Sequence, residues 1–187
     1  LSRFYRQHPG IGLSIEEMTQ DRLEAALAED RLDLGIAFAG EHLAEIESQA
    51  LFIETLSLMV GPQYPQPERL PLSAEALGRQ PLVLLSADFA TRRHIDLYCR
   101  QQGIAPPIAA EANSVSAIVE MVRRGQLATI LPSSIAREQP GLRTLALQSP
   151  PAPRSVVLLG RKGAYRSAAC QAFRQLLLDQ DEGAASH

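Results

Sequence analysis

The stretch best equipped for chemistry is an Asn-Ser-x-Ser cluster: Asn113, Ser114 and Ser116. One amide and two hydroxyls at the head of a helix offer neutral hydrogen-bond donors beside free backbone N–H groups. They also lie at the positive end of the helix dipole, so the arrangement suits a small anion. The same residue types are what a helix N-cap needs, and that structural duty competes with a ligand for them. Catalysis has less to work with. His8, His42, His94 and His187 fall in predicted turns, on a helix face and in the tail, and no G-x-S-x-G surrounds a serine. His94 and Asp96 share a predicted helix but stand two apart, so they do not face each other. Glu16 and Glu17 are neighbours in a predicted strand and point to opposite sides. No zinc-ligand spacing occurs. The sequence predicts no catalytic residue, no metal, no cofactor and no enzyme.

Residues 111–132, EANSVSAIVEMVRRGQLATILP, hold the cluster in place. Val115, Ile118, Val119 and Val122 recur at i, i+3, i+4 and i+7, which predicts a helix with one apolar stripe; Glu120, Arg123 and Arg124 lie opposite. Asn113 or Ser114 stands at the N-cap position, and Gly125 where a left-handed C-terminal cap belongs. Residues 127–131 are apolar and short, as a buried parallel strand would be. A βαβ unit of this kind places ligands beyond the carboxyl ends of its strands.

Around this centre the chain alternates strands and helices. A first helix stops near His8-Pro9-Gly10, residues 11–16 alternate as a strand, and a helix follows over 19–30. Strands are predicted at 32–38 and 52–60, with Gly35 marking a close approach of another backbone or an accident of packing. Residues 61–71 and 149–153 are rich in proline and form two candidate hinges. Between them come a helix at 73–78, a strand at 81–85, a helix at 91–102 stopped by Gly103, and a last strand at 142–147. Beyond them a strand at 155–159 and a helix at 167–178 precede a patternless tail. The two crossings predict an α/β, two-lobed fold. Residues 1–66 with 153–187 form a discontinuous first lobe, residues 67–152 form a second, and the ligand lies in the cleft between them.

Composition narrows the function. Of 187 residues 45% are hydrophobic, enough for a sizeable core, but tryptophan is absent and Leu, Ala, Ile and Val must do the packing. A net charge of −3 and a pI near 5.8 argue against this chain gripping a phosphate backbone unaided. Cys99 and Cys170, each in a helical pattern, read as free buried thiols of a reducing compartment. No apolar run approaches the roughly 18 residues of a membrane span, and the first residues resemble the middle of a domain. The expected location is cytoplasmic.

The ordered set LSRFYRQHPGIGLSIEE, DRLDLGIAF, LSLMVGP, PLVLLS, EANSVSAIVEMVRRGQLATILP and SVVLLGRK resembles the effector-binding domain of LysR-type transcriptional regulators over nearly the whole chain. Within that family LLSADFATRRHIDLYC and EANSVSAIVEMVRR look most similar to regulators of cyanate-degradation operons. The resemblance implies a periplasmic-binding-protein-like (type 2) fold and a sensor of a small anion, with cyanate the suspected effector, that activates transcription. It also implies self-association to a dimer or tetramer, through residues 1–7 of one copy against 91–102 of another, no membrane, and DNA contact only through an N-terminal domain absent here. The family's first strand would precede Leu1, so the first lobe is expected to lack it. By family position Ser86 supplies a hydroxyl and Asn113 an amide to the effector, and Phe38, Ala39 and Gly40 form the opposing wall. Thr91 and Arg92, at a helix head, could supply donors, although Arg92 reads rather as a solvated or interface arginine. Thr129 points to the cleft or to the core. No arginine is compelling at the cleft strands, which favours a small ligand over a larger carboxylate. The alternatives are a sensor for another small carboxylate and a solute-binding protein of a transporter.

Overall fold

The computed structural model describes residues 2–184. In chain order its elements begin with α1 (Ser2–Gln7), α2 (Gln20–Ala28), β1 (Gly35–Phe38), β2 (Ile46–Glu54), β3 (Leu56–Val60), α3 (Ala74–Gly78), β4 (Leu82–Leu85) and α4 (Ala90–Gln102). They continue with β5 (Ile108–Ala112), α5 (Val115–Arg124), β6 (Ala128–Pro132), α6 (Ser133–Glu138), β7 (Arg143–Leu145), β8 (Arg154–Arg161) and α7 (Ala168–Ala184). The chain divides into two compact units, Leu1–Ile53 with Arg154–His187, and Glu54–Pro153.

The first unit is built on a sheet of order β1-β8-β2, in which β1 and β8 run antiparallel with Gly35 opposite Leu159 and Phe38 opposite Val156. Leu23 and Leu27 of α2 pack on Ala37, Ile46, Val157 and Leu159. α1 is short, and its one buried residue, Phe4, sets its ring edge-on to Phe173 of α7 at 4.9 Å. A side-chain carbon at Gly35 would come within 2.8 Å of the Leu23 side chain. The close approach that glycine permits is therefore to a helix side chain, not to another backbone. The alternating segment 11–16 is not a strand: among the described residues nothing pairs with it, and Leu13 and Ile15 are exposed. Helix α7 runs on to Ala184, past the point where the pattern fades; the end of the expected tail, 185–187, lies outside the described residues.

In the second unit the sheet order is β5-β4-β6-β3-β7. β4 is parallel to β5 and to β6, and β3 is antiparallel to β6 and β7. One face, with Leu56, Leu58, Leu82, Leu84 and Ile130, packs under Ile95 and Tyr98 of α4 and Leu77 of α3. The other, with Met59, Val83, Leu85 and Leu131, packs under Ile118, Val119 and Val122 of α5, the stripe that the periodicity predicts. The sequence reading runs one strand through 52–60 and carries the first lobe to 66. The structure breaks that strand at Thr55 and gives β3 to the second unit, because β3 makes its hydrogen bonds with β6 and β7. The cap of α5 is Ser114, whose hydroxyl accepts from the Ala117 N–H at 3.4 Å. Gly125 is extended (φ −113°, ψ 178°) rather than left-handed. Pro132 takes the N-cap position of α6.

Gly61, just after β3, lies against the end of α5: a side-chain carbon there would stand 2.2 Å from the Val122 carbonyl oxygen and 2.9 Å from the Arg123 Cα. Both obstacles are backbone. Gly61→Ala is expected to destabilise the protein by about 3 kcal/mol, since overpacking outweighs the smaller entropy gain from losing a glycine. Urea unfolding would measure it, and a loss below about 0.5 kcal/mol would contradict this packing.

Candidate functional site

β5, β4 and β6 end on the same edge of the second unit's sheet, because they run parallel. Leu85 is level with Ala112, and the Ser86 N–H donates to the Ala112 carbonyl at 2.9 Å. Ser86 and Asn113 are therefore neighbours across adjacent strand ends, Ser86 half-buried and Asn113 exposed. Asn113 leads directly into Ser114 and the free N–H groups of α5. Because Ser114 takes the cap, the Asn113 amide is not used for that duty. Thr91 is half-buried in the first turn of α4.

Thr129 is not part of this edge. It follows Ala128, which pairs with Leu82 at the far end of β4, and it is fully buried. It stands opposite Met59 and so shares the α5-facing side of the sheet. Its Oγ1 has no hydrogen-bond partner among the described residues. Of the two orientations left open by the sequence, the structure takes the core.

Arg92 is not solvated: it is 7% exposed. Its Nε donates to Asp96 Oδ1 at 2.9 Å, and its Nη1 donates to the Leu85 carbonyl at 2.9 Å and to Glu111 Oε1. Burial alone would lower its pKa; the hydrogen bonds and charges of Glu111 and Asp96 outweigh that and hold it above the ordinary value. One guanidinium thus ties the residue before Ser86 to the strand that carries Asn113, and it is engaged in doing so.

Three further polar residues on this edge escape a reading by sequence. Thr55 Oγ1 donates to Ser133 Oγ at 2.9 Å, and Ser57 Oγ lies 2.6 Å from the same atom. Ser133 in turn donates to the Thr55 carbonyl at 3.0 Å. They close on one another and fasten the start of β3 to the head of α6. Hydroxyls directly after LATILP and around TLS are the only signal they leave in the sequence.

In the first unit Phe38 is half-buried at the end of β1, and Ala39 and Gly40 are exposed beyond it. The Ala39 N–H extends the ladder to the Ser155 carbonyl at 2.9 Å, and the Arg154 guanidinium sits 3.4 Å over the Phe38 ring. The chain after Gly40 is anchored by Glu24 of α2, which is 5% exposed. Its Oε1 accepts from Gln20 Nε2 at 3.0 Å and meets His42 Nδ1 at 2.8 Å; its Oε2 accepts from the Leu43 N–H at 2.9 Å. Burial would raise the Glu24 carboxyl, but the bonds from His42, Leu43 and Gln20 prevail and hold it below the usual carboxylate range.

Among the described residues no group of three His, Cys, Asp or Glu side chains could hold a metal, and no helix is long and apolar enough to cross a membrane. Cys99 is half-buried and Cys170 buried, both free, and burial pushes both thiols up. What the strand ends offer is binding by hydroxyl, amide and backbone N–H groups. Arg92→Met, which keeps the stem and removes the guanidinium, is expected to cost about 2 kcal/mol by leaving the Leu85 carbonyl without its donor. Denaturant unfolding checks it; an unchanged midpoint would mean that Arg92 does not fasten these strands.

A family model described as the LysR substrate binding domain matches residues 1–182. The chain is 23% identical over 180 residues to the RuBisCO operon transcriptional regulator of Allochromatium vinosum, a match covering 95% of this chain and 60% of that one. It therefore spans about three-fifths of that relative's length. Among solved structures, the Synechocystis PCC6803 CcmR regulatory domain in complex with 2-PG is 17% identical, with a TM-score of 0.82 and coverage of 97% and 88%. The effector binding domain of QuiR in complex with shikimate is 22% identical, with a TM-score of 0.77 and the same coverage. None of the three is described as a cyanate regulator, and the relatives are regulators rather than enzymes. A family model that matches nearly the whole chain places it in the LysR substrate-binding domain family, with the periplasmic-binding-protein-like type 2 fold that the solved neighbours share.

Proposed function

We propose that this chain is the effector-sensing part of a cytoplasmic LysR-type transcriptional activator, and that its effector is cyanate. Ser86 and Asn113 supply hydroxyl and amide donors, Thr91 and the start of α5 add to them, and Phe38, Ala39 and Gly40 of the first unit provide the rest of the site. The observation that carries this reading is the position of Ser86 beside Asn113 at adjacent strand ends, next to a buried Arg92 already bound to Glu111, Asp96 and Leu85. Neutral donors and helix N–H groups without a spare guanidinium suit a small, singly charged anion. A second reading, another small carboxylate, is favoured by the QuiR neighbour solved with shikimate. Transcriptional control would pass through a DNA-binding domain outside this sequence and through self-association of α1 with α4 of a second copy; Tyr5 and Leu97 are exposed on those helices.

Calorimetric titration with cyanate, chloride, benzoate and shikimate tests the effector. Saturable binding selective for cyanate, weakened at least tenfold by Ser86→Ala or Asn113→Ala, is expected. Selective binding untouched by either substitution would remove the site, and selectivity for shikimate or benzoate would replace the effector. For the pairing, sedimentation of Leu97→Asp should show dissociation to smaller species; an unchanged oligomer would rule α4 out of the contact.

A further inference from the structure

The first unit holds a cavity of about 210 Å3 between β2, β8 and α7 that the strand-end site does not use. Leu34, Leu158 and Gly160 line its apolar part, and Glu47, Gln49 and Arg174 its polar part. Two guanidiniums converge there on a single carboxylate oxygen. Arg166 Nη2 and Arg174 Nη1, the latter at 3.4 Å, both donate to Glu47 Oε1, and Arg174 Nη2 donates to Gln49 Oε1 at 2.5 Å. The arginine side chains are 26% and 27% exposed, so they are largely withdrawn from water. One positive charge is left over once Glu47 is matched. Asp33, a carboxylate that acts on Cys170 in the same corner, is exposed and outside the lining. A second hollow of about 490 Å3, bordered by Tyr165, Gln171 and Gln175, lies on the same two arginines.

We propose that this cavity is a second anion site, taking a short-chain monocarboxylate whose head group binds Arg174 and Arg166 and whose tail rests on Leu34 and Leu158. A guanidinium fork matches a carboxylate with two parallel hydrogen bonds, which a single surplus charge can sustain. A dianion would meet Glu47 as a repelling neighbour. The volume falls below the roughly 300 Å3 at which pockets for drug-sized ligands begin, so the tail is a few carbons long. Gly160 is what keeps the space open: a methyl group there would stand 3.5 Å from Arg166 Nη2 and 3.9 Å from both Glu47 Oε1 and Leu34 Cδ2, in ordinary contact and inside the cavity.

The test is amide chemical-shift mapping with butyrate and, as its neutral isostere, butyramide. Butyrate should produce saturable shifts at Leu34, Gln49 and Gly160, and butyramide should not. Arg174→Gln should weaken the response at least tenfold, Gly160→Ala several-fold without loss of fold, and Ser86→Ala not at all, which separates this site from the effector site. No saturable shift at these amides, an equal response to butyramide, or full binding retained by both Arg174→Gln and Gly160→Ala would overturn the proposal.

Discussion

Every residue of β4, from Leu82 to Leu85, is buried, so the second unit's sheet must be covered on both faces. That requirement recruits α4 and α3 to one side and α5 to the other, and it leaves only the strand ends for polar chemistry. A backbone carbonyl at the end of such a strand cannot rely on water and needs a donor from the protein. For Leu85 the donor is Arg92, and the charge this brings inside is matched by Glu111 and Asp96. The neutral groups Ser86, half-buried, and Asn113, exposed, follow from the same arrangement: the strong cation is consumed within the framework, and weaker donors stand at the strand ends.

The first unit solves a similar problem with the opposite sign. Glu24 is a buried carboxylate on α2 and would be costly alone. Gln20, His42 and the Leu43 N–H surround it, and the segment beyond Gly40 is held as a result. The two units thus each fasten a segment through one buried charge, with one partner from its own helix and others from elsewhere in the chain.

This explains what the sequence could and could not reveal. The helix α5 and its flanking strands are written in local periodicity, Asn113 is marked by the helix it precedes, and Ser86 is singled out by the family resemblance. Partners are not written locally. Alternation at 11–16 reports that one side is apolar, not that a neighbouring strand exists to pair with it, and it reads as a strand where the structure has none. Residues 52–60 look continuous because the break at Thr55 is set by β6 and β7, far along the chain. Glu24 meets His42 across 18 positions, Arg92 meets Glu111 across 19, and Ser133 meets Thr55 across 78, so none of these fastenings has a spacing to recognise. The orientation of Thr129 was ambiguous for the same reason, since an isolated threonine in an apolar strand carries no mark of which face is covered.

The contact between Gly35 and Leu23 has a consequence for how this domain can change over generations. The obstacle to a side chain at position 35 is the tip of another side chain, not backbone. Positions 35 and 23 therefore behave as one adjustable volume: an alanine at the first becomes admissible when the leucine at the second is shortened. Divergence at this helix–sheet contact is therefore expected to couple the two positions, with Leu23 shifting or shortening to make room for any side chain at position 35.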